Sequence, residues 1–308
     1  MARGLQRAAG FALGAVTAAA VATATYAVAI ERRAFGLRFE ELPILPAGSR
    51  PIAVLHLADI HMAPWQRNKV EWLQGLRDLE PDFVINTGDS LDHRDGMRAL
   101  AEALAPFAGI PGAFVHGSHD YYASKFKNPL RYLGAPKFGP HMHGPKHDTP
   151  MLERVYASYG WADLNNSAAD FTIRDTTVQV LGTNDAHIEL ADLEATAREQ
   201  QRLTERPDVT LGITHAPYRD VLDGLASLGA DALFAGHTHG GQVRVPGGPA
   251  LVTNCDLPVE HADGLTTWHT GGREVPLEVS AGIGTSVLAP FRLGTPPEAV
   301  LLTLTARG

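Results

Sequence analysis

Five short apolar runs in this chain each end in a cluster of aspartate, histidine and glycine, and this feature limits its fold more than any other. In chain order the clusters are Asp59-Ile60-His61, Gly88-Asp89, Gly117-Ser118-His119-Asp120, Thr214-His215-Ala216-Pro217 and Ala235-Gly236-His237-Thr238-His239-Gly240-Gly241-Gln242. The runs before them have the length and apolar character of strands buried on both faces. Helical patterns separate the first three runs, so we predict an open α/β sheet with its polar site at the strand ends.

Apolar periodicity predicts the regular elements of the rest of the chain. The predicted strands cover residues 52–58, 82–86, 112–115, 171–173, 178–181, 209–213, 231–234, 242–245, 250–253, 274–280 and 299–305. The predicted helices cover residues 69–79, 97–104, 152–159, 191–203 and 218–228. Residues 121–150 are predicted to be irregular, and we interpret His141, His143 and His147 as solvated loop residues.

The N-terminal segment is predicted to meet a membrane. Residues 8–30 carry no charge and are long enough to cross the hydrocarbon core of a bilayer as a helix. Alanine is so frequent there that a cleaved export signal stays open beside a retained anchor, with small-residue cleavage patterns at residues 22–24 and 27–29. We expect residues 1–30 to be a single-pass signal-anchor segment that places the main domain on the extracytoplasmic side.

Two further segments complete the predicted organisation. Residues 31–50 are expected to be a linker, because Pro43, Pro46 and Gly48 interrupt any regular pattern. Residues 51–308 are expected to form one domain, since a chain of this length buries a large core.

Composition restricts the class of site. A formal net charge of −8, from 26 basic and 34 acidic residues, argues against a nucleic-acid partner. The single Cys255 excludes a disulfide within the chain and a cysteine-based set of metal ligands. Any metal must therefore be held by histidine and aspartate, and the 14 histidines favour that interpretation.

The clusters have the residue types of a centre for two divalent cations. In an extended segment Asp59 and His61 would point the same way and share one ion. The two carboxylate oxygens of Asp89 can bridge two cations, and such a pair stabilises the attacking and leaving oxygens of a displacement at phosphorus. Imidazole and carboxylate ligands without thiolates suit manganese, iron or zinc. The sequence thus favours phosphoester hydrolysis.

The ordered motifs resemble those of the calcineurin-like metallophosphoesterases. The likeness runs from about residue 51 to residue 305, and three tail motifs are similar to the membrane-associated bacterial subgroup: Gly282-Ile283-Gly284-Thr285-Ser286, Pro290-Phe291-Arg292 and Pro296-Pro297-Glu298. This resemblance implies a four-layered α/β/β/α sandwich. It implies that one metal is held by Asp59, His61 and His239, that Asp89 bridges, and that His215 and His237 hold the other.

The resemblance also implies how the residues would act. His119 would lie near the leaving group as a proton donor or as a stabiliser of phosphoryl charge. A hydroxide bridging the metals would be the nucleophile. One position departs from the family pattern, in which a Gly-Asn-His-Asp motif supplies an asparagine ligand to the second metal. Here Ser118 occupies that position, and its shorter neutral hydroxyl predicts a second metal that is held less tightly.

Three functions remain open from the sequence. The leading hypothesis is a membrane-tethered dimetal phosphodiesterase or pyrophosphatase that acts on a small phosphoester or a lipid-linked substrate. The second is a catalytically weak or inactive membrane-bound metal-binding scaffold, which the replacement at Ser118 motivates. The third, a mononuclear zinc hydrolase acting on amides, ranks last because the sequence has no H-E-x-x-H helix.

Overall fold

The structure is a computed structural model that describes residues 2–124, 144–203, 206–245 and 247–308, with side chains described from residue 11 onward. Twelve strands lie in these residues: β1 Gly36–Leu45, β2 Ile52–Leu57, β3 Phe83–Asn86, β4 Gly112–Phe114, β5 Trp161–Asp163, β6 Ser167–Ile173, β7 Thr176–Gly182, β8 Val209–Ile213, β9 Ala232–Ala235, β10 Gly264–Thr270, β11 Arg273–Val279 and β12 Glu298–Ala306. Seven α-helices accompany them: α1 Ala2–Thr25, α2 Arg67–Gly75, α3 Met97–Leu104, α4 Ser118–Tyr121, α5 Thr149–Tyr159, α6 Leu193–Gln200 and α7 Arg219–Ser227.

The strands form two six-stranded sheets. The first has the order β1-β12-β2-β3-β4-β5 and the second β10-β11-β9-β8-β7-β6. Strands β2 to β5 run parallel in the first sheet, as do β7, β8, β9 and β11 in the second. Parallel strands direct their carboxyl ends to one edge, so each sheet offers one row of loops for a site.

Three apolar clusters account for the layers. The central one joins the facing sides of the two sheets, for example Val54 and Ile85 with Ile213. A second cluster packs α2, α3 and α5 on the outer face of the first sheet, and a third packs α7 on the outer face of the second. This is the predicted α/β/β/α sandwich, which is confirmed.

The prediction of a linker over residues 31–50 is wrong for its central part. Residues 36–45 form β1, which pairs in parallel with β12 from Gly36 opposite Glu298 onward. Leu42 and Ile44 are buried in the central core, and their burial stabilises the pairing of this strand. Pro43 is tolerated because β1 lies at the sheet edge, where no ladder partner is needed on the outer side.

Other predictions also need correction. Residues 242–245 and 250–253 are not strands; apart from one isolated bridge between Val243 and Leu293, they are loop. Gly240 and Gly241 have φ of 59° and 82°, so the chain turns away from a strand path before residue 242. His141 and His143 lie outside the described residues. His147 is half-buried rather than solvated, because its loop packs on α4, where the His147 N–H donates to Tyr121 O at 2.9 Å.

The N-terminal helix is apolar enough to cross a membrane. Within Phe11–Arg33, the most apolar 18 residues have a mean hydropathy of 1.8 and are almost entirely exposed. Its end, where α1 continues as a π turn and a 3-10 turn, contacts the main domain. Arg292 N–H donates to Ala27 O at 3.2 Å, and Thr295 N–H donates to the Glu31 carboxylate at 2.8 Å. A signal sequence near an N-terminus has the same length and composition.

Candidate metal centre

The candidate site residues meet where the carboxyl ends of the two sheets face each other. Asp59 follows β2, Asp89 follows β3, and His119 lies in α4 directly after β4. His215 follows β8, and the pair His237 and His239 follows β9. The His237 N–H donates to Asp59 Oδ2 at 2.9 Å, which ties the second sheet to the first at the site. The strand-end placement predicted from the sequence is therefore observed.

Asp59, His61 and His239 form one tight group of donor atoms. The two Nε2 atoms of His61 and His239 are 3.2 Å apart, and His239 Nε2 is 3.7 Å from Asp59 Oδ1. Donor atoms that bind one ion tetrahedrally at about 2.1 Å are about 3.4 Å from each other. The spacing of this group therefore fits a shared cation.

Asp59 also belongs to a second group, with Asp89 and His215. Asp89 Oδ2 lies 3.4 Å from His215 Nε2 and 3.6 Å from His61 Nε2, so one carboxylate oxygen lies between the two groups. Asp59 Oδ1 and His215 Nε2 are buried and have no hydrogen-bond partner among the described residues. Unpaired buried polar atoms are costly, and a cation between them would satisfy both.

The backbone at these residues is not extended, contrary to the geometry assumed for Asp59 and His61. Five site residues have a left-handed φ: Asp59 at 49°, His61 at 45°, Asp89 at 51°, His237 at 69° and His239 at 51°. The loop after β2 follows the loop after β3, with hydrogen bonds from Asp59 N to Gly88 O and from His61 N to Asp89 O, each 2.9 Å. Such conformations cost about 1 kcal/mol or more per residue and concentrate at functional sites.

Gly117 is required for the close packing of the site. A Cβ there would lie 2.6 Å from His215 Nε2 and would also overlap the Asp89 carboxylate. The following residues therefore start α4 directly against the centre, and the His119 N–H donates to Asp89 Oδ1 at 2.8 Å.

Burial and charge set the protonation states that a cation would meet. Burial lowers the pKa of His237 to about 3 and holds the pKa of His239 well below its ordinary value, so both rings are neutral. Burial raises the pKa of Asp89, but the charges of His215 and His119 outweigh it and leave the pKa well below its usual range. Neutral imidazoles and ionised carboxylates are the forms that bind divalent cations. Burial raises the pKa of Asp59, and the Asp89 carboxylate raises the pKa of His215 well above its ordinary value against the effect of burial, so a cation would bind there with release of protons.

Asp92 is a functional residue that the sequence reasoning missed. Its Oδ1 lies 3.2 Å from His61 Nδ1 and 3.1 Å from His119 Nδ1, and it accepts a hydrogen bond from Ser124 at 2.5 Å. Burial raises the pKa of Asp92, but His119 and His61 lower it below the ordinary value. A buried carboxylate thus orients both a candidate ligand and the candidate catalytic imidazole. Its position three residues after Asp89 was the available signal.

Two of the predicted site residues, His237 and Ser118, lie outside the two groups of donor atoms described above. The His237 ring is beside those of His215 and His187, with centroids 5.1 and 4.6 Å away, and its Nε2 lies 3.3 Å from Asn254 O. No group of three ligand atoms within 4.8 Å of one another includes His237 among the described residues. Ser118 is the half-buried first residue of α4.

Two more buried polar residues surround the centre, and sequence reasoning assigned a role to neither. Asp185 is fully buried after β7, with an Oδ2 that has no hydrogen-bond partner in the described chain. Arg292 is fully buried 3.2 Å from His239 Nδ1 and donates to Gly282 O at 2.9 Å. Asp185 follows an apolar strand, which was the same signal as at the other clusters. The position of Arg292 depends on contacts between distant segments.

The sequence matches a known family and several curated proteins. The sequence profile of the calcineurin-like phosphoesterases matches residues 52–241. Phosphodiesterase YaeI of Escherichia coli K12 is 26% identical over 297 residues, which cover 94% of this chain and 96% of that protein. The uncharacterized metallophosphoesterase YkoQ of Bacillus subtilis 168 is 24% identical, covering 82% of this chain and 83% of that protein. A dimetal phosphatase structure from Danio rerio matches with a TM-score of 0.44 and 12% identity over 75% of this chain and 88% of that chain.

Proposed function

This chain belongs to the calcineurin-like phosphoesterase family and is a metal-dependent phosphoester hydrolase, and we propose that it works as a dinuclear phosphodiesterase or pyrophosphatase held at a membrane. The position of Asp89 carries this proposal. Its Oδ2 lies within 3.6 Å of His61 Nε2 and 3.4 Å of His215 Nε2, which belong to two different groups of candidate ligands. One carboxylate in this position suits a pair of cations better than a single one.

The residues divide into two sets in the proposal. Asp59, His61 and His239 hold the first cation, His215 and His237 hold the second with Ser118 at its side, and Asp89 belongs to both. When bound, two divalent cations of manganese, iron or zinc supply the positive charge that activates water and stabilises charge at phosphorus. The donor set supports this choice, because it contains imidazoles and carboxylates and no thiolate.

His119 is the proposed catalytic residue of the chain itself. Its side chain is 22% exposed, whereas Asp92 beneath it is fully buried, so the ring lies between the interior and solvent. Asp92 Oδ1 holds Nδ1 of this ring at 3.1 Å. A ring held in this way can donate a proton to the leaving oxygen or stabilise phosphoryl charge.

The membrane part of the proposal rests on the apolar N-terminal helix. We propose that it is a single-pass anchor with the main domain on the extracytoplasmic side. The end of the helix contacts Thr295 and Arg292, and Arg292 lies beside His239. A centre so close to the anchor suits a phosphoester on a lipid, with a small soluble phosphoester as the other candidate. No nucleic-acid partner is proposed, since the chain is acidic overall.

The enzymatic proposal is tested with the full chain in detergent, a chromogenic phosphodiester and pyrophosphate, with manganese added. We expect hydrolysis that Asp89→Asn lowers by about 100-fold or more, the scale for loss of one charge-stabilising group. Asp175→Asn is the matched control, because that carboxylate is 89% exposed and pairs with Arg50 away from the site. It should leave the rate unchanged.

The replacement at Ser118 favours one alternative, a metal-binding scaffold with little or no activity. The same experiment separates the two functions. A full chain that binds metal but hydrolyses neither substrate would support the scaffold and contradict the proposed enzyme.

A further inference from the structure

A separate group of candidate metal ligands lies beyond the ends of β4 and β5. It consists of His116 after β4, Glu153 on α5 and Asp163, the last residue of β5. One ligand atom of each residue lies within 4.8 Å of the other two. The other three groups of this kind among the described residues all contain Asp59 or His61, which belong to the candidate metal centre.

His116 is the unusual member of this group. Its side chain is 1% exposed, and neither ring nitrogen has a hydrogen-bond partner in the described part of the chain. Nε2 faces the Glu153 carboxylate at 3.4 Å, and Nδ1 lies 3.8 Å from Asp120 Oδ2. A buried imidazole without hydrogen bonds is costly, and either a proton or a cation between His116 and Glu153 would satisfy it. Burial lowers the pKa of His116, but Asp120 and Glu153 together raise it to about 9.

The distances fit a cation in that place. A separation of 3.4 Å is what two donor atoms show when each binds one ion at about 2.1 Å with tetrahedral angles. The same separation joins His215 Nε2 and Asp89 Oδ2 in the candidate metal centre. Asp163 uses Oδ1 to accept hydrogen bonds from Asn165, at 2.9 Å from its N and 2.7 Å from its Nδ2. Its second oxygen is left for another partner.

The group is also reachable from solvent. A surface pocket of about 320 Å³ lies against it, and Glu153 and Asp163 form part of its wall. The pocket gives a cation an entry path and leaves room for water in a remaining coordination position. Arg154 also lines the pocket, and its guanidinium donates to Met151 Sδ.

We propose that His116, Glu153 and Asp163 form a third, mononuclear site for a divalent cation of the zinc type. One imidazole and two carboxylates, completed by water, are a ligand set that zinc accepts. The cation would join the loop after β4 to α5 and β5. Because that loop continues into Gly117 and His119, the site would help to fix the start of α4. The inference does not depend on the proposed function.

The test measures zinc bound to the full chain in detergent, by elemental analysis after removal of free metal, together with the zinc-induced rise in Tm. Glu153→Gln and Asp163→Asn are the test variants, and both side chains lie at the surface, so the fold should tolerate them. Glu194→Gln is the matched control, since Glu194 is a 91% exposed glutamate on α6. Each variant is also made in an Asp89→Asn background, which impairs the proposed dinuclear centre.

We expect each test variant to bind one zinc ion fewer per chain than the wild type and Glu194→Gln. The same loss should appear in the Asp89→Asn background. The zinc-induced rise in Tm should also shrink, because a ligand stabilises only the state that binds it. If a proton on His116, rather than a cation, balances the carboxylates, the test variants will bind as much zinc as the wild type. That result would overturn the proposal, whatever the Asp89 variant does to activity.

Discussion

At the scale of single residues, we propose that Ser118 sets how firmly the second proposed cation is held. It begins α4 next to Gly117, whose Cα faces His215. A serine hydroxyl is neutral and reaches less far than an asparagine amide. The second proposed cation would therefore have one strong oxygen ligand fewer than in the family pattern.

Ser118→Asn should therefore raise the occupancy of the second cation when metal is limiting. We expect activity at low manganese concentration to rise several-fold, with little change at saturating metal. The measurement is a manganese titration of hydrolysis, with metal content determined on the same samples. If neither occupancy nor activity changes, Ser118 does not weaken the site.

Asp92 gives a second prediction at this scale. Asp92→Asn keeps the shape but removes the charge that orients His61 and His119 through their Nδ1 atoms. Loss of such an orienting partner costs about 10- to 100-fold in metal affinity or activity. We expect both kcat and the retention of one metal ion to fall.

Ser124→Ala is the control for Asp92, because it removes one hydrogen bond to the same carboxylate and a long contact of 3.4 Å to His119 Nδ1 but leaves the charge of Asp92 in place. It should have the smaller effect. Equal effects of the two variants would mean that Asp92 acts only through local packing.

At this scale the sequence predicted the residues at the strand ends well and the residues that support them poorly. Asp59, Asp89 and His215 follow apolar runs, and strand geometry alone places them at one edge. Asp92 and Arg292 act through contacts with segments far away in sequence. Their roles depend on loop paths that apolar periodicity does not determine.

At the scale of elements, β1 makes the segment after the N-terminal helix a part of the first sheet. Arg38 on β1 contacts Glu298 on β12 at 3.0 Å and Glu278 on β11 at 3.0 Å. The first contact is within one sheet and the second reaches the other sheet. Glu278 is fully buried, and burial raises its pKa to about 7 although Arg38 lowers it, so Arg38 favours the charged form of this interior carboxylate.

Arg38→Met should destabilise the fold by about 3 kcal/mol, the scale for leaving one partner of a buried ion pair uncompensated. The measurement is Tm with and without the change Glu278→Met. The double variant should recover much of the loss, since the buried charge is then gone as well. A double variant no more stable than Arg38→Met would show that the charge is not the cause.

The elements that were predicted and those that were missed differ in composition. Strands β2, β8 and β9 are almost wholly apolar and buried, and the sequence placed each within a residue or two. Strands β1 and β10 are half exposed and contain charged or hydroxyl side chains, so no apolar run in the sequence predicts them. Residues 250–253 have an apolar pattern but lie in loop structure, where Ala250 packs against Gly241.

At the scale of the whole molecule, the N-terminal helix and the centre are connected through one loop. Glu31 accepts a hydrogen bond from Thr295 N at 2.8 Å, and Thr295 donates to His239 O at 3.0 Å. If the helix is a retained anchor, this connection fixes the centre close to the bilayer.

We predict that the full chain stays in the membrane fraction after an alkaline carbonate wash. Protease added from the extracytoplasmic side should then digest the main domain. A chain that is released by the wash, with an N-terminus after residue 24 or 29, would identify a cleaved signal instead. Digestion only from the cytoplasmic side would contradict the proposed orientation.

The centre itself is formed by both halves of the molecule, since Asp59 and Asp89 come from one sheet and His215 and His239 from the other. The most direct test is the anomalous scattering of crystals grown with manganese. We predict two peaks about 3.5–4 Å apart on either side of Asp89. One of them should lie among Asp59, His61 and His239, and the other beside His215 and His237. A single peak at this centre under saturating manganese would contradict the dinuclear account.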